Sequence, residues 1–331
     1  MNLTKKQIDD LNLELTIEIV PEDYAEEVRK KLAERRRTAE FKGFRKGMVP
    51  ASLIKRVYGE QALVDAVNDV ITTSLDKYIT DNGLHLLGEP LGSENQPEVE
   101  WADGKNFTFV FDAALSPEVN VEVEPADEIV KYSITTSAKE KASAVENVKK
   151  YYEEKKDAEP KSDEEIEKEV TERLKEEHKQ EAEWRLSKDI RDFYVAKAGL
   201  KLPEEFLKRW LFAANQGKIS KEDIEKDFAG FCEDFKWQLV RGKLMEKFGF
   251  KVEHEDIYEA AKAYVSYQYA MYGIGNVPED MITEAVANIM KDRRQLERLS
   301  EQVEDQKVIG KIKETVKFKE KKISSEKFRE L

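Results

Sequence analysis

Phe44, Arg45 and Lys46 sit between Gly43 and Gly47 in the run Phe41-Lys42-Gly43-Phe44-Arg45-Lys46-Gly47-Met48-Val49-Pro50, and they offer an aromatic face and two cations at one point of the chain. Their chemistry is recognition: charge attracts an anion-rich partner, and one ring fills an apolar hollow. Groups that could react are less organised. His85, His178 and His254 are far apart, with no Cys or carboxylate at metal-ligand spacing. Cys232, between Phe231 and Glu233, has no local histidine and reads as a small buried apolar residue. Carboxylate pairs recur throughout the charged segments, so none of them marks an acid–base couple. Dinucleotide, P-loop and nucleophile-elbow motifs do not occur. No catalytic residue, metal or cofactor is therefore expected.

The glycines and Pro50 say how the three residues are held. Two glycines four apart can both take φ > 0, and Pro50 pre-sets φ for the first turn of a following helix, so the run should be a loop between two helices with Phe44 to Lys46 at its apex. From Arg29 to Arg56 there are eleven Lys/Arg against two Glu, a net of +9 in a chain that totals −13. Such an island implies a polyanionic partner at this end of the molecule. A helix–helix turn with a solvated basic rim would have the same composition.

Residues 1–114 read as an α+β domain, an antiparallel sheet with two long helices and a projecting loop. Leu11, Leu13, Leu15, Ile17 and Ile19 alternate with polar residues, the period of a half-buried strand. Pro21-Glu22-Asp23 then opens a helix that carries Tyr24, Val28 and Leu32 on one face. After Pro50 a second helix carries Leu53, Val57, Leu63, Val64, Val67, Val70, Ile71, Leu75 and Ile79, and Asn82-Gly83 stops it. Phe107, Phe109 and Phe111 mark a further strand over 106–115.

An acidic linker is expected over 115–137, and from 138 to 331 an elongated all-α domain with two helical-hairpin arms. The first helix should cover 138–156, with a break at Asp157-Ala158-Glu159-Pro160. Ser162 and Glu165 then form a capping box ahead of a stripe of Ile166, Val170, Leu174, Leu186, Ile190 and Tyr194 that stops at Gly199. Pro203, Ser220 and Pro278 open further helices, and Gly217, Gly249 and Gly273/Gly275 close them. Phe206, Trp210, Leu211 and Phe212 on one hairpin, with Tyr264, Tyr267, Tyr269, Met271, Tyr272, Ile274 and Met281 on the other, could form soft, adaptable contact surfaces; at helical spacing they could equally be core.

No apolar run is long enough to span a membrane, and the first residues lack the apolar stretch of a secretory signal. With a single cysteine, this points to the cytoplasm.

The stretch G-F-R-K-G-M-V-P from Gly43 to Pro50 resembles the ribosome-binding signature of the trigger factor family, bacterial chaperones that meet nascent chains at the ribosomal tunnel exit. Its surroundings agree: a basic helix precedes it, and a long helix with a Val57-Tyr58-Gly59 step follows. The resemblance implies that Phe44, Arg45 and Lys46, with Lys42, Gly43 and Gly47, contact protein and rRNA beside the exit. It implies that the two arms border a cradle for unfolded polypeptide, with Phe206, Trp210, Phe212, Tyr264, Tyr267, Met271, Tyr272, Ile274 and Met281 as the client-binding candidates. Holding would need no ATP, and homodimer formation is left open. The family normally carries an inserted prolyl isomerase domain of the FKBP type. Nothing here matches it, so that domain is expected to be missing near 157–162 and isomerase activity with it. A competing reading is an rRNA or nucleic-acid binder whose basic island is the whole function and whose helical half is a scaffold. A periplasmic chaperone with similar arms is a third.

Overall fold

A computed structural model describes residues 1–154, 161–274 and 277–331. The expected break at Asp157 to Pro160, the missing-insertion point and Gly275 lie wholly or partly outside the described residues.

The chain opens with strands β1 (Asn2–Gln7) and β2 (Asn12–Ile19), helices α1 (Pro21–Thr38) and α2 (Ala51–Asp81), and strands β3 (Leu91–Gly92) and β4 (Phe107–Ala114). The strands form an antiparallel sheet in the order β1-β2-β4-β3, with Leu15 opposite Phe111 and Ile17 opposite Phe109. The alternation in β2 works as expected. Leu13, Leu15, Ile17 and Ile19 are buried against Tyr24 and Val28 of α1 and Leu63, Val67, Ile71 and Leu75 of α2. Each such side chain contributes about 1.5–3 kcal/mol by leaving water. Val57 departs from the expected stripe and is exposed, while Ile54 and Ala62 are buried. The first turns of α2 pack on Ala39, Phe41 and Val49 instead of on the sheet, which turns Ile54 and Tyr58 inward. Strand β1 has Leu3 as its only partly buried residue and exists through its pairing with β2.

Next come β5 (Val130–Thr135), inside the expected linker, α3 (Ala138–Glu154) and α4 (Asp163–Ala198). They are followed by α5 (Glu204–Ala214), α6 (Lys221–Phe248), α7 (His254–Met271), α8 (Glu279–Ile289), α9 (Arg293–Thr315), β6 (Lys319–Ser324) and the short α10 (Ser325–Phe328). This part is largely helical, with one addition: β5 and β6 form a parallel pair, Val130 opposite Lys319. The stripe on α4 is used as expected. Ile166, Val170 and Leu174 pack on α3, and Leu186, Ile190 and Tyr194 join a core with Trp237, Val240, Leu244, Val308 and Ile312. Gly199 ends α4 with φ +58°.

The capping box is present: the Glu165 N–H donates to the Ser162 hydroxyl at 3.3 Å, and the Ser162 N–H donates to the Glu165 carboxylate at 2.8 Å. Ser162→Ala is expected to cost about 1 kcal/mol, read as a lower urea midpoint with an unchanged slope. An unchanged midpoint would show that the cap is dispensable to α4.

The chain divides into two compact units, residues 1–118 with 201–232, and residues 119–200 with 233–331. The first therefore includes α5 and the start of α6. Among the described residues no helix is long and apolar enough to cross a membrane.

Candidate docking loop and exposed apolar surfaces

Residues 39–50 are fixed at their base and free at their tip. Val49 is fully buried beside Ala39 and Ile54, Phe41 packs edge-on to Tyr58 at 6.1 Å, and the Arg36 Nε–H donates to the Val49 carbonyl at 2.9 Å. Between these anchors the backbone makes two successive turns. The Phe44 N–H donates to the Phe41 carbonyl at 3.0 Å, and the Met48 N–H donates to the Arg45 carbonyl at 2.9 Å. Gly43 (φ +93°) and Gly47 (φ +82°) each occupy the third position of their turn, where a type II turn requires positive φ. A side chain at either would strain the turn that presents the tip.

The result is an exposed apex. Phe44 is 44% exposed, Lys42, Arg45 and Lys46 are exposed, and so is Met48, which sequence reasoning did not single out. Met48 adds a second exposed apolar side chain to the tip, and its position one residue past the second glycine was the available signal. Some cations of the island are matched by neighbours: Arg29 by Glu26, Lys30 by Glu27, Lys31 by Asp69 and Lys55 by Asp103. Hydrogen bonds from Lys31 to Asp69 and from Lys55 to Asp103 hold both ammonium groups above their usual pKa, so each stays charged at neutral pH. Among the described residues Arg37, Lys42, Arg45, Lys46 and Arg56 have no carboxylate within ion-pair distance. Free charge is thus concentrated at and beside the tip.

The candidate client residues fall into two groups. On α7, Tyr264, Tyr267 and Met271 recur at helical spacing on one exposed face, while Ala261 and Val265 turn to Val286, Ile289 and Leu299. Tyr272, 83% exposed, Ile274 and Met281 on α8 continue the exposed series, whereas Tyr269 is half-buried. A groove of about 670 Å³ between α7 and α9 runs beside Tyr264 and Tyr267. The other hairpin corrects the expectation. Phe206, 5% exposed, is packed inside its unit, and Trp210 is half-buried with its indole against Gly88. Phe212 alone of that trio is exposed. Trp184 on α4, 68% exposed, was missed, because most of the other exposed residues of that helix are charged.

The histidines stand apart. His85 and His254 are exposed, and His178 is buried between the Thr136 hydroxyl and the Glu140 carboxylate, each at 3.3 Å. Among the described residues no cluster of three or more His, Cys, Asp or Glu is arranged to hold a metal ion.

Comparison with known proteins gives one consistent result. Residues 1–148 match the family model described as bacterial trigger factor protein, and residues 182–331 match the one described as probable trigger factor, C-terminal domain. The trigger factor of Azospirillum brasilense is 32% identical over 127 residues, 38% of this chain and 27% of the relative. That of Geobacter sp. (strain M21) is 32% identical over 131 residues, 40% and 29% respectively. That of Francisella tularensis subsp. novicida is 28% identical over 152 residues, 46% and 34%. The aligned stretch thus spans only about a third of these relatives' own length, or less. A solved structure described as "Promiscuous Substrate Recognition in Folding and Assembly Activities of the Trigger Factor Chaperone" shares the fold, with a TM-score of 0.54 at 14% identity, covering 94% of this chain and 99% of that one. With both terminal domain models matched in order along it, and the same fold in a solved relative, the chain belongs to the trigger factor family.

Proposed function

We propose that this protein is an ATP-independent holding chaperone of the cytoplasm that docks on the ribosome at the tunnel exit through Phe44, Arg45 and Lys46, with Lys42, Gly43 and Gly47 shaping the tip. The observation that carries the reading is the double-turn loop, anchored at Val49 and Phe41, that presents an exposed ring among uncompensated cations. The cations supply long-range attraction to rRNA and the ring supplies a short-range fit to protein or to an unstacked base. Client segments would be shielded by Tyr264, Tyr267, Met271, Tyr272, Ile274 and Met281 through many weak contacts, which keeps exchange fast. The reading includes no prolyl isomerase step. The stretch between the two matched domains, 149–181, is shorter than the ~50 residues that the smallest independent domains need.

Co-sedimentation with vacant bacterial ribosomes tests this. The wild-type chain is expected to pellet, and Phe44→Ala/Arg45→Ala/Lys46→Ala to lose at least about tenfold in affinity, or ~1.4 kcal/mol. Phe44→Ala alone, with charge unchanged, separates specific docking from general polyanion binding. If it binds like wild type and binding falls steeply with salt, the nucleic-acid reading replaces the docking one.

A further inference from the structure

The docking loop is tied down on both of its legs. On the entry leg Phe41 packs edge-on to Tyr58, and the Arg35 guanidinium lies 5.9 Å from the centroid of the same Tyr58 ring. On the exit leg the Val49 side chain is fully buried, and the Val49 carbonyl accepts from the Nε–H of Arg36, thirteen residues earlier on the last turn of α1. Among the described residues the Val49 carbonyl accepts no other hydrogen bond. The peptide it belongs to leads into Pro50 and so has no N–H by which the backbone could hold it.

The tip has little else to orient it. No atom lies within 4 Å of where a Cβ would stand on Gly43 or Gly47, and the two turns are closed by local bonds, from the Phe44 N–H and from the Met48 N–H. The direction in which those turns point is therefore set at the base. Burial of the Val49 side chain fixes its position, and the Arg36 bond fixes the plane of the Val49–Pro50 peptide, which sets the angle at which the second turn leaves α2. Arg36 is exposed and carries one charge of an island whose net is +9, so removing that charge alone leaves most of the long-range attraction in place. Removing the bond acts instead on the fraction of molecules whose tip points correctly. A tip oriented correctly about a fifth of the time binds about fivefold more weakly with every contact unchanged.

We propose that Arg36 is a positioning residue of the docking loop: through its Nε–H bond to the Val49 carbonyl it holds Arg45 to Met48 in the orientation that meets the ribosome, and it acts through that bond more than through its charge. The proposal rests on the docking reading. It divides the basic island into cations that shape the loop, Arg36 first among them, and the unpaired cations at and beside the tip that face the partner.

Two substitutions in the full chain separate bond from charge. Arg36→Gln removes the charge but keeps an N–H the same number of bonds from the backbone as Nε, whereas Arg36→Met removes both at similar length. In titrations of vacant bacterial ribosomes at one fixed ionic strength, read by co-sedimentation, Arg36→Met is expected to bind at least about fivefold more weakly than wild type and Arg36→Gln to stay within about twofold of it. In the free protein, amide exchange of Phe44 and Met48 should quicken in Arg36→Met and stay at the wild-type rate in Arg36→Gln, with exchange in β2 unchanged in both. Arg36→Ala takes the place of Arg36→Met if that variant does not melt as a folded protein. Equal losses in the two variants would show that the cation itself meets phosphate, equal binding by all three proteins would show that the loop keeps its orientation without Arg36, and faster exchange in β2 together with the tip would show a general loss of stability. Each of these overturns the positioning role, and the docking reading stands if Phe44→Ala/Arg45→Ala/Lys46→Ala loses binding in the same titration. No binding by the wild type would overturn both.

Discussion

Asp127→Ala is expected to destabilise the second unit by roughly 3–5 kcal/mol, because it strips the partner from two buried or half-buried donors at once. The Asp127 carboxylate, 7% exposed, accepts hydrogen bonds from the Tyr194 hydroxyl at 2.7 Å, the Lys197 ammonium at 2.6 Å and the Glu124 N–H at 2.9 Å. Tyr194 is fully buried, so without Asp127 its hydroxyl has no water to turn to. Of its two carboxylates Lys197 would keep Glu124, 3.9 Å away. The loss would propagate, since Asp127 stands two residues before Ile129, whose carbonyl accepts from the Lys319 N–H and begins the pairing of β5 with β6. Urea unfolding with hydrogen exchange across 127–135 checks this, and a midpoint shift worth less than about 1 kcal/mol would show that the three bonds are not cooperative.

The same group sets an acid limb. Burial raises the Asp127 pKa, but hydrogen bonds from Lys197, Glu124 and Tyr194 outweigh it and hold the carboxyl below its ordinary value. Burial, reinforced by the carboxylate, pushes the Tyr194 hydroxyl well up, so it remains a donor throughout the neutral range. A depressed carboxylate contributes its stability fully above the unfolded-state value, about pH 4, and loses it as pH falls through the folded-state value. Asp127→Asn should therefore be less stable than wild type at pH 7 and approach it as the pH drops below about 4.

How much of this was readable in the chain depended on sequence separation. The docking loop was legible because everything that shapes it lies within a dozen residues: two glycines at turn positions, Pro50 ahead of α2, and the basic end of α1. Strand β2 and the capping box at Ser162 were legible for the same reason. Strand β6 was not. Lys-Glu-Lys-Lys over 319–322 shows no alternation of apolar residues, and it is a strand only because Val130 to Thr135 lies beside it across nearly the whole helical half of the chain. Val57 was misplaced because a helix period cannot say where the neighbouring layer changes from sheet to loop. At the candidate surfaces, spacing alone did not distinguish Phe206, which is core, from Phe212, which is exposed, since both lie on an amphipathic helix and only the packing of α5 decides which face is covered.

That packing turns on Gly88, and Gly88→Ala is expected to release α5 from the sheet edge. A Cβ there would stand 2.4 Å from Trp210 Nε1, 2.6 Å from Cε2 and 2.9 Å from Cδ1, closer than any side chain tolerates. Gly88 also holds φ at +78°, a region that costs an alanine roughly 1–2 kcal/mol before any clash is counted. Overpacking against a held indole adds roughly 1–3 kcal/mol, giving about 2–4 kcal/mol in all. The clash is relieved when the half-buried indole turns out of its place or α5 moves, and the other tie of α5 at this edge is Arg209 to Asp112 and the Gly92 carbonyl. Gly88→Ala should therefore raise amide exchange over 204–214. The double variant Gly88→Ala/Trp210→Ala separates the two causes. With the indole gone, the clash vanishes and only the backbone strain remains, so the double variant should be less destabilised than the two single losses combined by about 1 kcal/mol or more. Native-like exchange over 204–214 in Gly88→Ala would show that the hairpin is held chiefly by Arg209, and would move the search for its determinant from the glycine to that ion pair.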